Sequence, residues 1–134
     1  MFMTVPTHLQ HQPIVAVDDY HLNDAVYPAQ TTDARALSIG RAQFDPHDFT
    51  AKVFRETATG RWSRQSEEVP LHRVLDLAIL LATVVKRQTT GQASLSPRLK
   101  EYVINPSDYP DLVNFIQNNW GEFGPRLQEL KALL

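Results

Sequence analysis

From Val74 to Val85 the chain is apolar at every position except Asp76 and Thr83. A helix that is apolar all round leaves no face for water and belongs in an interior. The stretch therefore predicts a buried central helix over 70–87, and the rest of the chain has to supply the walls around it. Its ends are marked. Pro70 suits the first helical turn, Glu67 and Glu68 lie where the helix dipole favours anions, and Lys86 and Arg87 close the other end. The run is twelve residues long and contains Asp76, whereas crossing a bilayer takes about twenty apolar residues. The expected setting of this helix is a protein core.

At 134 residues the chain has the length of about one domain with a single core. A net charge of −2 argues against a protein that coats nucleic acid or an anionic membrane. The charges are unevenly spread. Residues 1–34 hold Asp18, Asp19, Asp24 and Asp33 with no Lys or Arg, while 35–73 hold seven bases against five acids. There is no cysteine, which excludes disulfide scaffolds, thiol nucleophiles and Cys-ligated zinc and fits a reducing compartment. The N-terminus has no basic segment followed by a long apolar run, so no signal peptide is expected and the expected location is the cytoplasm.

Composition and punctuation divide the chain into four regions. Residues 1–34 read as an N-terminal arm wrapped over the domain, interrupted by Pro6, Pro13 and Pro28, with one short strand at Ile14–Val17. Residues 35–67 read as an antiparallel meander of three strands, Ala36–Phe44, Phe49–Thr57 and Arg61–Ser66, joined by Asp45–Asp48 and by Ala58-Thr59-Gly60. The central helix at 70–87 comes next. Residues 96–134 read as C-terminal helices: Ser96-Pro97 opens a short one, Asn105-Pro106 breaks it, Leu112–Ile116 marks another, and Gly124-Pro125 interrupts before a terminal amphipathic turn. The predicted fold is α+β, a three- to four-stranded antiparallel sheet packed on a buried central helix, with additional C-terminal helices.

A four-residue loop at 45–48 would set Phe44 opposite Phe49 and Gly40 opposite Val53. The small residues Ala36, Ser38, Gly40 and Ala42 would then share the face toward the helix. Arg41, Lys52 and Arg64 would lie on the other face among Phe54 and Trp62. Guanidinium groups beside aromatic planes suit an anionic ligand such as a nucleotide. Register decides this, since a slip of one residue sends every side chain to the opposite face; otherwise the face is a solvated one, or one covered by the arm or a second subunit. At the helix start, His72, Arg73 and Asp76 share a side. Asp76 requires a partner there, and Arg73 or His72 is the nearest. With Glu68 the same residues could serve a hydrolase, but no Ser or Cys nucleophile motif accompanies them. His8 and His11, and His47 with Asp45 and Asp48, read as solvated loop residues and not as a metal site. No P-loop, dinucleotide fingerprint or H-E-x-x-H is present.

The runs Leu37–Gln43, Lys52–Arg55 and Trp62–Leu77, with the opening Pro6-Thr7-His8-Leu9 and Pro13-Ile14, resemble a family of small bacterial proteins known only as a domain of unknown function. The likeness covers roughly residues 6–85. It implies a bacterial cytosolic setting and brings no catalytic residue or cofactor. The expectation is thus a non-enzymatic binding module for an anionic small ligand, with Arg41, Lys52, Trp62, Arg64, His72 and Arg73 as its contacts and no cofactor or metal. The rival readings are a protein-interaction module of immunity or antitoxin type using the acidic arm, and a hydrolase using His72, Asp76 and Glu68. A very apolar helix also suits sharing across a two-fold interface in a homodimer.

Overall fold

The computed structural model describes residues 5–24, 28–29, 31–56, 60–62, 69–91 and 95–134. Four antiparallel strands form one sheet: β1 (Gln12–Val17), β2 (Ala34–Arg41), β3 (Phe49–Arg55) and β4 (Tyr102–Val103), in the order β3-β2-β1-β4. The helices are α1 (Leu71–Thr90), α2 (Tyr109–Asn118) and α3 (Trp120–Leu133). The fold is α+β, with the sheet contacting α1 and two helices closing the C-terminus. Among the described residues no helix is long and apolar enough to cross a membrane.

The strand expected in the arm is β1, and it pairs on both sides, with β2 and with β4. Its sequence explains the central position. Ile14, Val15, Ala16 and Val17 are apolar on both faces and fully buried, which suits a strand covered above and below. Gly40 of β2 permits the close approach: a Cβ there would lie 2.0 Å from the Gln12 carbonyl oxygen. Of the third meander strand, the described residues hold the bridge between Glu56 and Trp62; Ser63–Ser66 lie outside them.

The hairpin register differs from the expected one. Arg41 pairs with Phe49, Gly40 with Thr50 and Leu37 with Val53. The connection is longer than four residues, because Asp45 organises its own turn by accepting from the His47 N–H at 2.9 Å and Ala42 N–H bonds to Asp48 O. A three-residue shift is odd, so it exchanges the faces of β3 against β2. Leu37, Ile39 and Val53 now face α1 with Leu80 and Val84. The small side is covered instead by Val5, Leu9 and Trp62, around Ala16, Ala36 and Phe54. This arrangement buries the larger aliphatic side chains against the helix, where more apolar area leaves water.

Helix α1 ends at Gly91, whose left-handed backbone (φ 70°) places its N–H 2.8 Å from Arg87 O, so the helix runs three residues beyond the charged pair. It is not enclosed. Leu71 is 84% exposed and Leu75 62%, while Arg73 and Asp76 are buried. The expected helix after Ser96 is a single turn in which Ser96 Oγ accepts from Leu99 N–H at 3.0 Å, and the chain then enters β4. Helix α3 runs through Gly124-Pro125 where a break was expected; Gly124 leaves room for the Trp120 indole, which a Cβ would meet at 2.7 Å.

The contact at Gly40 is backbone against backbone and has no flexible side chain to give way. Gly40→Ala is therefore expected to cost about 2 kcal/mol or more by overpacking, read as a fall of several degrees in the thermal midpoint. Ala42→Gly, one turn of the pleat away, should leave β1–β2 pairing in place.

Candidate functional site

The inner side of α1 carries two buried carboxylate centres. The first is Asp24, which follows a short 3-10 turn at Tyr20–Asn23. Arg73 donates to it twice, from Nε to Oδ1 at 3.1 Å and from Nη2 to Oδ2 at 2.9 Å. His72 Nε2 lies 2.8 Å from Oδ1, and the Thr32 hydroxyl donates to Oδ2. Burial alone would raise the Asp24 carboxyl, but the bonds from Arg73, Thr32 and His72 outweigh it and hold it below the usual carboxylate range. The second centre is Asp76. Tyr20 OH donates to its Oδ2 at 2.5 Å, and Arg98 pairs with both oxygens. Burial first, then the bond to Asp76, keeps the Tyr20 phenol protonated well above the usual range. Arg98 also reaches Asn23 O. Tyr20–Asp24, Thr32 and Arg98 are thereby clipped onto the helix.

Asp76 thus has partners, as a buried charge must, but they are Tyr20 and Arg98. His72 and Arg73 turn to Asp24 instead. Nothing in the sequence singles out Tyr20, Asp24, Thr32 or Arg98: the first three lie in the irregular arm, and Arg98 lies in the short helix expected after Ser96. An imidazole oriented by a carboxylate is present in His72–Asp24, yet the hydroxyl beside it, on Thr32, is buried and donates to the same carboxylate.

The residues expected to form one basic-aromatic surface are divided. Arg41 lies on the helix side over the Phe49 ring at 5.2 Å, donating to Asp108 (3.1 Å) and Asp111 (2.6 Å) at the start of α2. Lys52 lies on the opposite face over the Phe54 ring at 5.1 Å, with Trp62 edge-on to the same ring at 5.9 Å. Burial pulls the Lys52 ammonium down. Lys52 and Trp62 are brought together; Arg41 is separated from them by the sheet. Arg64 and Glu68 lie outside the described residues. His11 is no loop residue in water: it is buried beneath the sheet, bonded to Ser38 Oγ at 3.0 Å and packed edge-on to Phe54. Among the described residues no group of three or more His, Cys, Asp or Glu is placed to hold a metal.

The outer side of α1 is the reverse of the inner. Leu71, Leu75, Ala78 and Ala82 follow one another at spacings of four, three and four, while Val85, next in the series, is partly buried against the core. Val74 (49% exposed) and Ile79 (38%) flank them. By helical geometry the face from Val74 to Ile79 is about 140° wide, more than the stripe of about 100° that usually faces a core. It continues past Ala78 into an apolar groove of about 250 Å³ between α1, β3 and the C-terminal helices. One wall of the groove is the aromatic series Phe49, Phe115 and Phe123, with ring centroids 5.0 and 6.0 Å apart in succession.

The fold is a small α+β domain in which, among the described residues, the outer side of α1 presents Leu71, Val74, Leu75 and Ile79 to solvent. Residues 3–93 match the model of a family of unknown function (DUF6530), which is more than half of the chain, and the chain belongs to that family. The match ends two residues after the cap of α1, so it takes in three strands and the whole outer face of the helix. No curated protein and no solved structure matches the chain.

Removing the Asp24 carboxylate takes from Arg73 its two closest acceptor atoms and leaves the longer Asp33 contact at 3.6 Å. Asp24→Ala is expected to cost about 3–5 kcal/mol in urea unfolding, while Arg98→Ala, at a half-exposed partner, costs less. Burial first, then Lys52, lowers the His11 imidazole to about 4. The unfolded chain takes up this proton near pH 6.5, so stability is complete above 6.5 and drains as pH falls toward 4. About 3 kcal/mol is lost across that window. His11→Gln should flatten the slope between pH 6.5 and 5, measured by urea midpoints.

Proposed function

We propose that this protein is a non-enzymatic binding module whose working surface is the outer face of α1, a docking strip for an apolar helical surface on a protein partner. The observation that carries the reading is the orientation of the helix. Arg73, Asp76 and Thr83 face inward, while Leu71, Val74, Leu75 and Ile79 face out. Burying a leucine or valine side chain is worth about 1.5–3 kcal/mol, so this face stores several kcal/mol that only association can release. Monomers rarely keep such a contiguous apolar surface unless something binds it. An apolar helix laid into a matching groove is a standard mode of protein recognition.

The anionic-ligand reading has less behind it. A nucleotide or other anion would have to draw Arg41 from Asp108 and Asp111, or Arg73 from Asp24. A hydrolase would need Asp76 to leave Tyr20 and Arg98 for His72. Both exchange satisfied buried pairs for new ones. The acidic-arm reading meets the same obstacle: Asp24 and Asp33 are engaged with arginines, and Asp18 accepts from Tyr102 OH and Val5 N–H.

The test is site-specific photocrosslinking in the cell, with the photoreactive residue at position 71 or 75, and at exposed Gln128 on α3 as the control. Discrete protein adducts from 71 and 75 and none from 128 are expected. No adduct from either of the two α1 positions would sink the reading.

A further inference from the structure

Away from the outer face of α1, a cleft of about 520 Å³ opens where β1 and β4 part. The ladder between these strands pairs Val15 with Val103 and Ala16 with Tyr102. Carried two residues further, it would set Asp18 opposite Lys100, and the two charges would neutralise each other. It stops instead, and both chains turn through left-handed backbone at Asp19 (φ 53°) and Lys100 (φ 55°), which line the cleft. Aspartate tolerates that region; lysine rarely enters it. Lys100 closes the turn after Ser96, its N–H 3.1 Å from Ser96 O, a position where glycine is usual. What lysine adds over glycine there is its ammonium group.

We propose that this cleft binds a small zwitterion, a free α-amino acid with an aliphatic side chain. Its lining carries both signs of charge: Asp18 and Asp19 follow β1, and Arg98 and Lys100 precede β4. A ligand with an ammonium and a carboxylate group matches both pairs, whereas a simple anion meets the aspartates and a metal ion meets the bases. Asp18 accepts from Val5 N–H and from Tyr102 OH, each at 2.9 Å and each on a different oxygen. A carboxylate has about four lone-pair positions, so it can accept again. Arg98 is held by Asp76 and the Asn23 carbonyl through its two terminal nitrogens, and its Nε has no partner among the described residues. The Lys100 ammonium has no carboxylate partner among them either. No existing bond has to break for the ligand to enter. Exposed Leu22 and Pro97 line the same cleft and give the aliphatic side chain its contact. The volume suits a small molecule, whose sites run from about 300 to 1,000 Å³.

The test is amide NMR of the full chain titrated with L-leucine, L-isoleucine and L-valine up to about 20 mM, a range that covers millimolar affinity. Saturable shifts centred on Leu22, Asn23, Leu99 and Lys100 are expected from at least one of them. The matching carboxylic acids, without the amine, and the matching amines, without the carboxylate, should each bind roughly tenfold more weakly or worse. Lys100→Gly relieves the left-handed backbone and removes the ammonium group. Its thermal midpoint should hold or rise while its affinity falls by about tenfold or more. Lys100→Arg keeps the charge and should keep the binding. A residue with a merely structural role would not separate affinity from stability in this way.

No saturable shift from any of the three amino acids would overturn the proposal. Shifts that survive Lys100→Gly unchanged would overturn it too, because the ligand would then sit elsewhere. Carboxylic acids binding as tightly as the amino acids would overturn the zwitterion in favour of a plain anion. Leucyl-leucine binding more tightly than leucine would overturn the free amino acid as the ligand. Photocrosslinking at positions 71 and 75 reads a different surface, so the docking reading and this one fail separately.

Discussion

Asp24 and Asp76 hold this structure in place from beneath α1. A buried carboxylate or guanidinium without a partner costs several kcal/mol, and α1 carries one of each, Arg73 and Asp76, on the same side. Each is satisfied by groups far away in sequence. His72 reaches Asp24 across 48 residues, and Tyr20 reaches Asp76 across 56. These pairings fix the rotation of the helix about its own axis. Leu80 and Val84 go inward beside the charges, and the leucines at 71 and 75 have nowhere to go but out. The outer face is the consequence of what the inner face must satisfy.

The sheet shows the same coupling between a local choice and a global result. Asp45 accepting from its own turn lengthens the β2–β3 connection, the register moves by three, and the faces exchange. Cations that a shorter loop would have gathered are then parted by the sheet. Arg41 is neutralised by the first residues of α2, and Lys52 is folded under Trp62 and Phe54. Among the described residues, the side of α1 left in solvent carries Leu71, Val74, Leu75 and Ile79.

On the proposed reading, that distribution shapes the kind of binding the domain performs. A charged surface attracts over a distance set by salt, whereas an apolar helix face associates by contact and area. The whole of this face lies inside the stretch that places the chain in its family, while the second carboxylate centre is completed from outside it, by Arg98. The helix is presented by the family portion of the chain and steadied by the C-terminal portion.

A good part of this was legible in the sequence. The helix after Pro70, the strand at Ile14–Val17, the hairpin around residue 45, the α+β class and the need of Asp76 for a partner are all set by periodicity, turn residues and the cost of a buried charge. Those are local properties, and local properties are written in neighbouring residues. Only the tertiary structure decided that the helix keeps an apolar face in water, that Tyr20, Asp24 and Arg98 satisfy its charges, and that His11 is buried while Arg41 and Lys52 part company. A twelve-residue apolar run records how hydrophobic a helix is. It does not record which way the helix turns, because that depends on polar partners about fifty residues away and on a loop length that one aspartate side chain sets.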